Sequence, residues 1–123
     1  MGYEPMYQEV RVGQTRIDVI LSGDIHAAEA KAIQQSFAGY IADGHTLISI
    51  DLSGVEFIDG TGLGALVSIH KQIRNKDGHL KIVGLQGEVK ELFRLTELDK
   101  MLEIDADRSS QPGKNREVGK GRN

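Results

Sequence analysis

Apolar residues alternate at Val10 and Val12 and again at Ile17, Val19 and Leu21, with Gly13-Gln14 between the two sets. A period of two around a short polar turn predicts an antiparallel hairpin. After Gly23 the period lengthens: Ala27, Ala30, Ile33, Ala38 and Ile41, with Phe37 between them, recur at helical spacing until Asp43-Gly44, which predicts a first helix. Leu47, Ile48, Ile50 and Leu52 then crowd into a short run bounded by Gly44 and Gly54, too apolar for an exposed edge; this predicts a central strand buried on both faces. A second helix is expected from about Thr61 to a stop before Asp77-Gly78. Its apolar stripe is Leu63, Leu66, Val67, His70 and Ile73, with Gly62, Ala65 and Gln72 on other faces. Leu80, Ile82, Val83 and Leu85 predict another strand, Val89, Leu92, Phe93 and Leu95 a third helix, and Met101 to Ile104 a last short strand. Strands that alternate with helices pair in parallel through right-handed crossovers. The expected class is therefore α/β: a mixed, largely parallel sheet preceded by an N-terminal hairpin, with three or more helices packed on one or both faces.

Length and composition narrow this picture. A chain of 123 residues, 39% hydrophobic and 27% charged, suits one soluble domain with one core, and a net charge of -3 makes no general case for nucleic acid. The start, Met1-Gly2-Tyr3-Glu4-Pro5-Met6, is not a signal peptide, and no apolar run approaches the roughly 18 residues of a spanning helix, so no membrane insertion and a cytoplasmic location are expected. The absence of cysteine removes disulfides, thiolate metal sites and a cysteine nucleophile. From about Arg108 the apolar pattern stops, and Arg108, Lys114, Arg116, Lys120 and Arg122 against Glu117 make the end basic. The expected division is a domain at 1–106 and a basic, disordered tail at 107–123.

Catalytic constellations are scarce. His26, His45, His70 and His79 sit on different elements, none paired at metal-ligand spacing, and His70 is expected as a partly buried, satisfied side chain. Asp24 and His26 stand near a strand end, where a loop cap explains them. Ser22, Ser49, Ser53 and Ser68 lack an adjacent base in sequence. Gly60-Thr61-Gly62-Leu63-Gly64-Ala65 fits the loose dinucleotide fingerprint, yet Asp59 would aim a carboxylate at the pyrophosphate and no second domain remains for a substrate. The same turn has a simpler reading. Asp59 and Thr61 can each accept a hydrogen bond from the first helical turn, and Gly60 and Gly62 leave its backbone open to a partner.

Three segments together resemble the STAS domain, the sulfate-transporter and anti-sigma-factor-antagonist module, over roughly residues 6–106. They are Leu21-Ser22-Gly23-Asp24-Ile25-His26, Asp51-Leu52-Ser53-Gly54-Val55-Glu56-Phe57-Ile58-Asp59-Gly60-Thr61-Gly62-Leu63-Gly64, and Val89-Lys90-Glu91-Leu92-Phe93-Arg94-Leu95-Thr96-Glu97-Leu98. The resemblance is strongest to free-standing bacterial anti-sigma factor antagonists. It implies a non-enzymatic, cofactor-free partner switch. The antagonist binds an anti-sigma factor of serine/threonine kinase type and frees a sigma factor; phosphorylation breaks the complex and a serine/threonine phosphatase restores it. The implied docking surface is Asp24, Asp59, Gly60, Thr61, Gly62 and Leu63. The alternative is a STAS subunit of a larger assembly, a stress-signalling scaffold or transporter accessory, in which the same surface makes a fixed contact.

The sequence departs from the family pattern at two positions. Switched members carry a phosphate-accepting serine or threonine directly after the acid, and here Asp59 is followed by Gly60. Thr61 aligns with the second hydroxyl position. It is either a helix cap or a displaced phosphate acceptor; if neither hydroxyl position is used, the protein behaves as permanently unmodified. The second departure is His26, where many relatives carry Asp.

Overall fold

The computed structural model describes residues 7–13 and 15–105. Strands β1 (Tyr7–Val12) and β2 (Arg16–Ser22) form the expected hairpin, with Val10 opposite Val19 and Val12 opposite Ile17. Strands β3 (Leu47–Gly54), β4 (His79–Val83) and β5 (Glu103–Asp105) follow in parallel, and the sheet order is β1-β2-β3-β4-β5. The connections are α1 (Ala27–Ala42), α2 (Gly60–Arg74), and the pair α3 (Gly87–Leu95) and α4 (Leu98–Met101). Because neighbouring strands follow sequence order and crossovers share one hand, the helices stack on one face of the sheet. Burial along β2 follows: Ile17, Val19 and Leu21 are buried beneath the helices, while Arg16, Asp18, Ile20 and Ser22 on the reverse side are half-buried.

The central run is the expected doubly buried strand, closed from Ile48 to Leu52. Its polar members are held in place. Asp51, 0% exposed, accepts the Ser53 N–H at 2.8 Å, and Gly84 (φ 78°) stands so close that a Cβ there would lie 2.5 Å from the same carboxylate oxygen. A side chain at Gly84 would meet both backbone strain and a collision.

Several expectations are corrected. On α2, Gly62 and Ala65, placed on other faces by the apolar stripe, are buried together with Ile69, whereas Val67 and His70 are only half-buried. The buried face is turned because Asp59 caps the helix and the first turn lies flat on Ile25 and Ile58. On α1, Ala27 and Ala38 are exposed and Glu29 is buried, its Oε1 accepting the His26 N–H at 2.9 Å, which ties off the helix start. Met101 belongs to the short helix α4 and not to the last strand, because Glu97 takes a left-handed conformation (φ 62°) and restarts the chain as a helical turn. Leu95 points outward, 64% exposed. The tail at 107–123 lies outside the described residues.

His70 differs from the satisfied side chain expected of it, since its Nδ1 has no hydrogen-bond partner among the described residues. Desolvation, and secondarily the nearby Arg74 charge, hold its pKa below the ordinary 6.5. The unfolded chain then takes up a proton that the folded chain resists, so this contribution is complete above 6.5 and is lost as pH falls toward the lower folded value. Thermal melts from pH 7.5 to 5 should show stability falling with acidification, and His70→Gln should flatten that slope.

The two α2 glycines differ in what a methyl group would meet. At Gly62 a Cβ would lie 2.5 Å from Ile58 Cγ1 and 2.9 Å from Ile25 Cγ2; at Gly64 it would meet nothing within 4 Å. Helix propensity favours alanine over glycine by about 1 kcal/mol, and overpacking a core costs about 1–3 kcal/mol. Urea denaturation should therefore find Gly62→Ala destabilised by up to about 2 kcal/mol and Gly64→Ala neutral or more stable by up to about 1 kcal/mol.

Candidate protein-docking site

Two loops at the C-terminal ends of the strands build the site. The segment after β2 and the segment after β3 meet in an isolated parallel bridge between Ile25 and Ile58. The Ile25 N–H donates to the Phe57 carbonyl at 2.9 Å and the Asp59 N–H to the Ile25 carbonyl at 3.1 Å, while the Gly23 N–H donates to the Gly54 carbonyl at 3.1 Å. Extended residues alternate sides. With Ile25 and Ile58 turned inward, 0% and 3% exposed, their neighbours Asp24, His26, Phe57 and Asp59 belong to the outward side. In a parallel register Asp24 stands across from Phe57 and His26 across from Asp59. The His26 and Phe57 rings accordingly meet with centroids 4.9 Å apart and planes tilted by 33°.

Asp59 ends this bridge and begins α2. Its extended backbone (φ -97°) makes it the N-cap, and its Oδ1 accepts the Gly62 N–H at 3.1 Å. The Thr61 hydroxyl donates to the same oxygen. Thr61 therefore does not cap the helix through its side chain; it holds the residue that does. The hydrogen bond from Thr61, followed by the Gly62 N–H and, more weakly, the charge of His26, keeps the Asp59 carboxyl below the ordinary carboxylate value.

The six residues expected at the surface separate into two groups. Asp24, Gly60 and Thr61 are exposed and Asp59 is half-buried, all at one corner. Gly62 and Leu63 are buried, so Gly62 seats the helix and Leu63 fills the core beneath the site. Phe57, 43% exposed, and His26 also belong to the corner, although neither was among the six. Counting alternation from Ile58 would have placed Phe57 outside. Among the described residues no group of three or more His, Asp or Glu side chains could hold a metal ion. No helix among them is long and apolar enough to cross a membrane.

Comparison with known proteins agrees with this architecture. A family model of the STAS domain matches residues 7–110. An anti-sigma-B factor antagonist of Listeria monocytogenes is 32% identical over 88 residues, which span 72% of this chain and 77% of that protein. The crystal structure of an anti-sigma factor antagonist from Mycobacterium paratuberculosis superposes with a TM-score of 0.74 at 26% identity, covering 85% of this chain and 89% of that one. The phosphorylated form of the Bacillus cell fate determinant SpoIIAA shares the fold, with a TM-score of 0.67 at 15% identity and coverage of 86% and 96%. The chain belongs to the STAS domain family.

The geometry assigns Thr61 a measurable effect on Asp59. Carbon-detected NMR titration should find the Asp59 pKa of Thr61→Val raised toward 3.8 while Thr61→Ser keeps it low. A depressed carboxylate pKa supplies stability above the unfolded value, lost as pH falls through the folded one. Acid melts of Thr61→Val should therefore lose the part of the wild-type decline that lies below pH 3.8.

Proposed function

We propose that this chain is a non-enzymatic anti-sigma factor antagonist that binds an anti-sigma factor of the serine/threonine kinase type and so frees a sigma factor. The observation that carries the reading is the corner itself. Asp24, Phe57, Asp59, Gly60 and Thr61 come from two tied loops and a capped helix, in a chain 32% identical to an anti-sigma-B factor antagonist. The corner presents a carboxylate, an aromatic edge and bare backbone, which suit a protein partner better than a small substrate.

Regulation of this antagonist departs from the usual switch. A switched relative carries a hydroxyl where this chain has Gly60, and the remaining hydroxyl, Thr61, is engaged by the Asp59 carboxylate. Phosphate on Thr61 would bring about -1.5 to -2 charges against that carboxylate and remove the hydrogen bond it receives. The chain therefore acts as a permanently unmodified antagonist, needing a phosphatase only if Thr61 were modified.

Incubation with the cognate kinase-type anti-sigma factor and ATP, read by intact mass and site mapping, tests this. Wild-type protein should bind and gain no phosphate. Gly60→Ser should gain one, because a Cβ at Gly60 meets nothing within 4 Å and the serine would stand free at the helix start. Phosphate on wild-type Thr61, abolished in Thr61→Ala, would instead establish a displaced switch; absence of binding to any kinase-type anti-sigma factor would reject the antagonist.

A further inference from the structure

We propose that Phe57, backed by His26, is the apolar anchor of the docking surface, and that the partner receives it in an apolar recess bordered by lysine or arginine. The inference rests on the antagonist reading and specifies which side chains carry the contact and what they meet. Phe57 is 43% exposed, and the other large apolar side chains of comparable or greater exposure among the described residues, Val12, Leu47, Leu95 and Met101, lie outside the bridged segments. Phe57 is also held. Its carbonyl accepts the Ile25 N–H at 2.9 Å, which fixes the backbone, and the His26 ring packs against the Phe57 ring with centroids 4.9 Å apart, so part of the ordering that binding requires is already made. Rigid aromatic side chains ringed by polar groups are what interface hot spots are made of.

Charge names the partner's side. Three carboxylates neighbour Phe57 in register or in the chain: Asp24, across the bridge, Glu56, the preceding residue, and Asp59, two residues on; Asp24 and Glu56 are exposed and Asp59 is half-buried. His26 is the one basic side chain in the bridged segments 22–26 and 54–59. A partner with its own carboxylates there would be repelled, and an uncharged rim would leave these carboxylates partly desolvated without compensation. Lysine or arginine around an apolar recess satisfies both the ring and its border.

His26 adds a specificity element. It covers one side of Phe57 with a flat, weakly basic ring. An aspartate there would leave that side of the ring uncovered, so His26→Asp should weaken the apolar contact even against a cationic border.

Binding of the full chain to the purified kinase-type anti-sigma factor, measured by isothermal titration at 50 and 300 mM salt, tests the proposal. Phe57→Ala should weaken binding by about 30-fold or more, the range of interface anchors, with the melting temperature preserved because the backbone bond to Ile25 does not need the side chain. Leu95→Ala, which removes a more exposed apolar side chain far from the corner, should change it less than threefold. Glu56→Lys should weaken binding and reduce its salt dependence. Phe57→Ala within threefold of a tightly binding wild type would overturn the anchor and leave the antagonist reading intact. Binding that strengthens with salt would overturn the cationic rim. A wild type that binds no such partner rejects the functional reading and the anchor together.

Discussion

The bridge between Ile25 and Ile58 is the contact on which the functional end of this domain depends. Two backbone hydrogen bonds, at 2.9 and 3.1 Å, join loops that leave neighbouring parallel strands, and two isoleucine side chains bury beneath them. Full burial of such a side chain stabilises by about 1.5–3 kcal/mol relative to exposure. The hydrogen bonds satisfy backbone groups that would otherwise be buried unpaired. With the bridge closed, the Asp59 backbone is held extended at the start of α2, and its side chain is in position to cap the helix. One tertiary contact thus determines where a helix begins.

The same contact explains why the corner is rich in glycine. Gly62 lies directly over the two isoleucines, with no room for a Cβ, so the helix can descend onto the bridge only because that residue has no side chain. Gly60 and Gly64 face away and meet nothing. Glycines spaced alternately in the sequence therefore do different work: the middle one permits close packing, and the outer two leave the helix backbone bare. A phosphate cradle would need the glycine backbone open toward the ligand at the middle position as well, and there it is sealed by the core.

The corner that results is acidic and aromatic outside and aliphatic inside. Asp24, Glu56 and Asp59 neighbour Phe57 across the bridge and along the chain, and the His26 ring packs against it. Thr61, in place of a phosphate acceptor's neighbour, becomes the donor that holds the Asp59 carboxylate in its ionised form. Gly60 carries no hydroxyl, so Thr61 holds the one side-chain hydroxyl of the 59–61 turn.

Much of this was legible in the amino-acid sequence. Period-two alternation located the hairpin, the crowded apolar run between Gly44 and Gly54 located the buried β3, and the turn at Asp59 marked the start of α2, because these local signals need only a few adjacent residues. The STAS resemblance followed from motifs in the right order. Tertiary structure alone decided which way each side chain faced where two segments meet. An apolar stripe drawn on an isolated α2 put Gly62 and Ala65 outside, since small residues have no apolar signal of their own and their burial arises only from what packs on them. The direction of Phe57 was open in the sequence, and the parallel bridge between Ile58 and Ile25, 33 residues earlier in the chain, turns it to the surface. Thr61 read as a cap because threonine often is one, and only the position of the Asp59 carboxylate made it a donor. Sequence periodicity reports a residue's preference for water; the direction it finally points is set by contacts made across the chain.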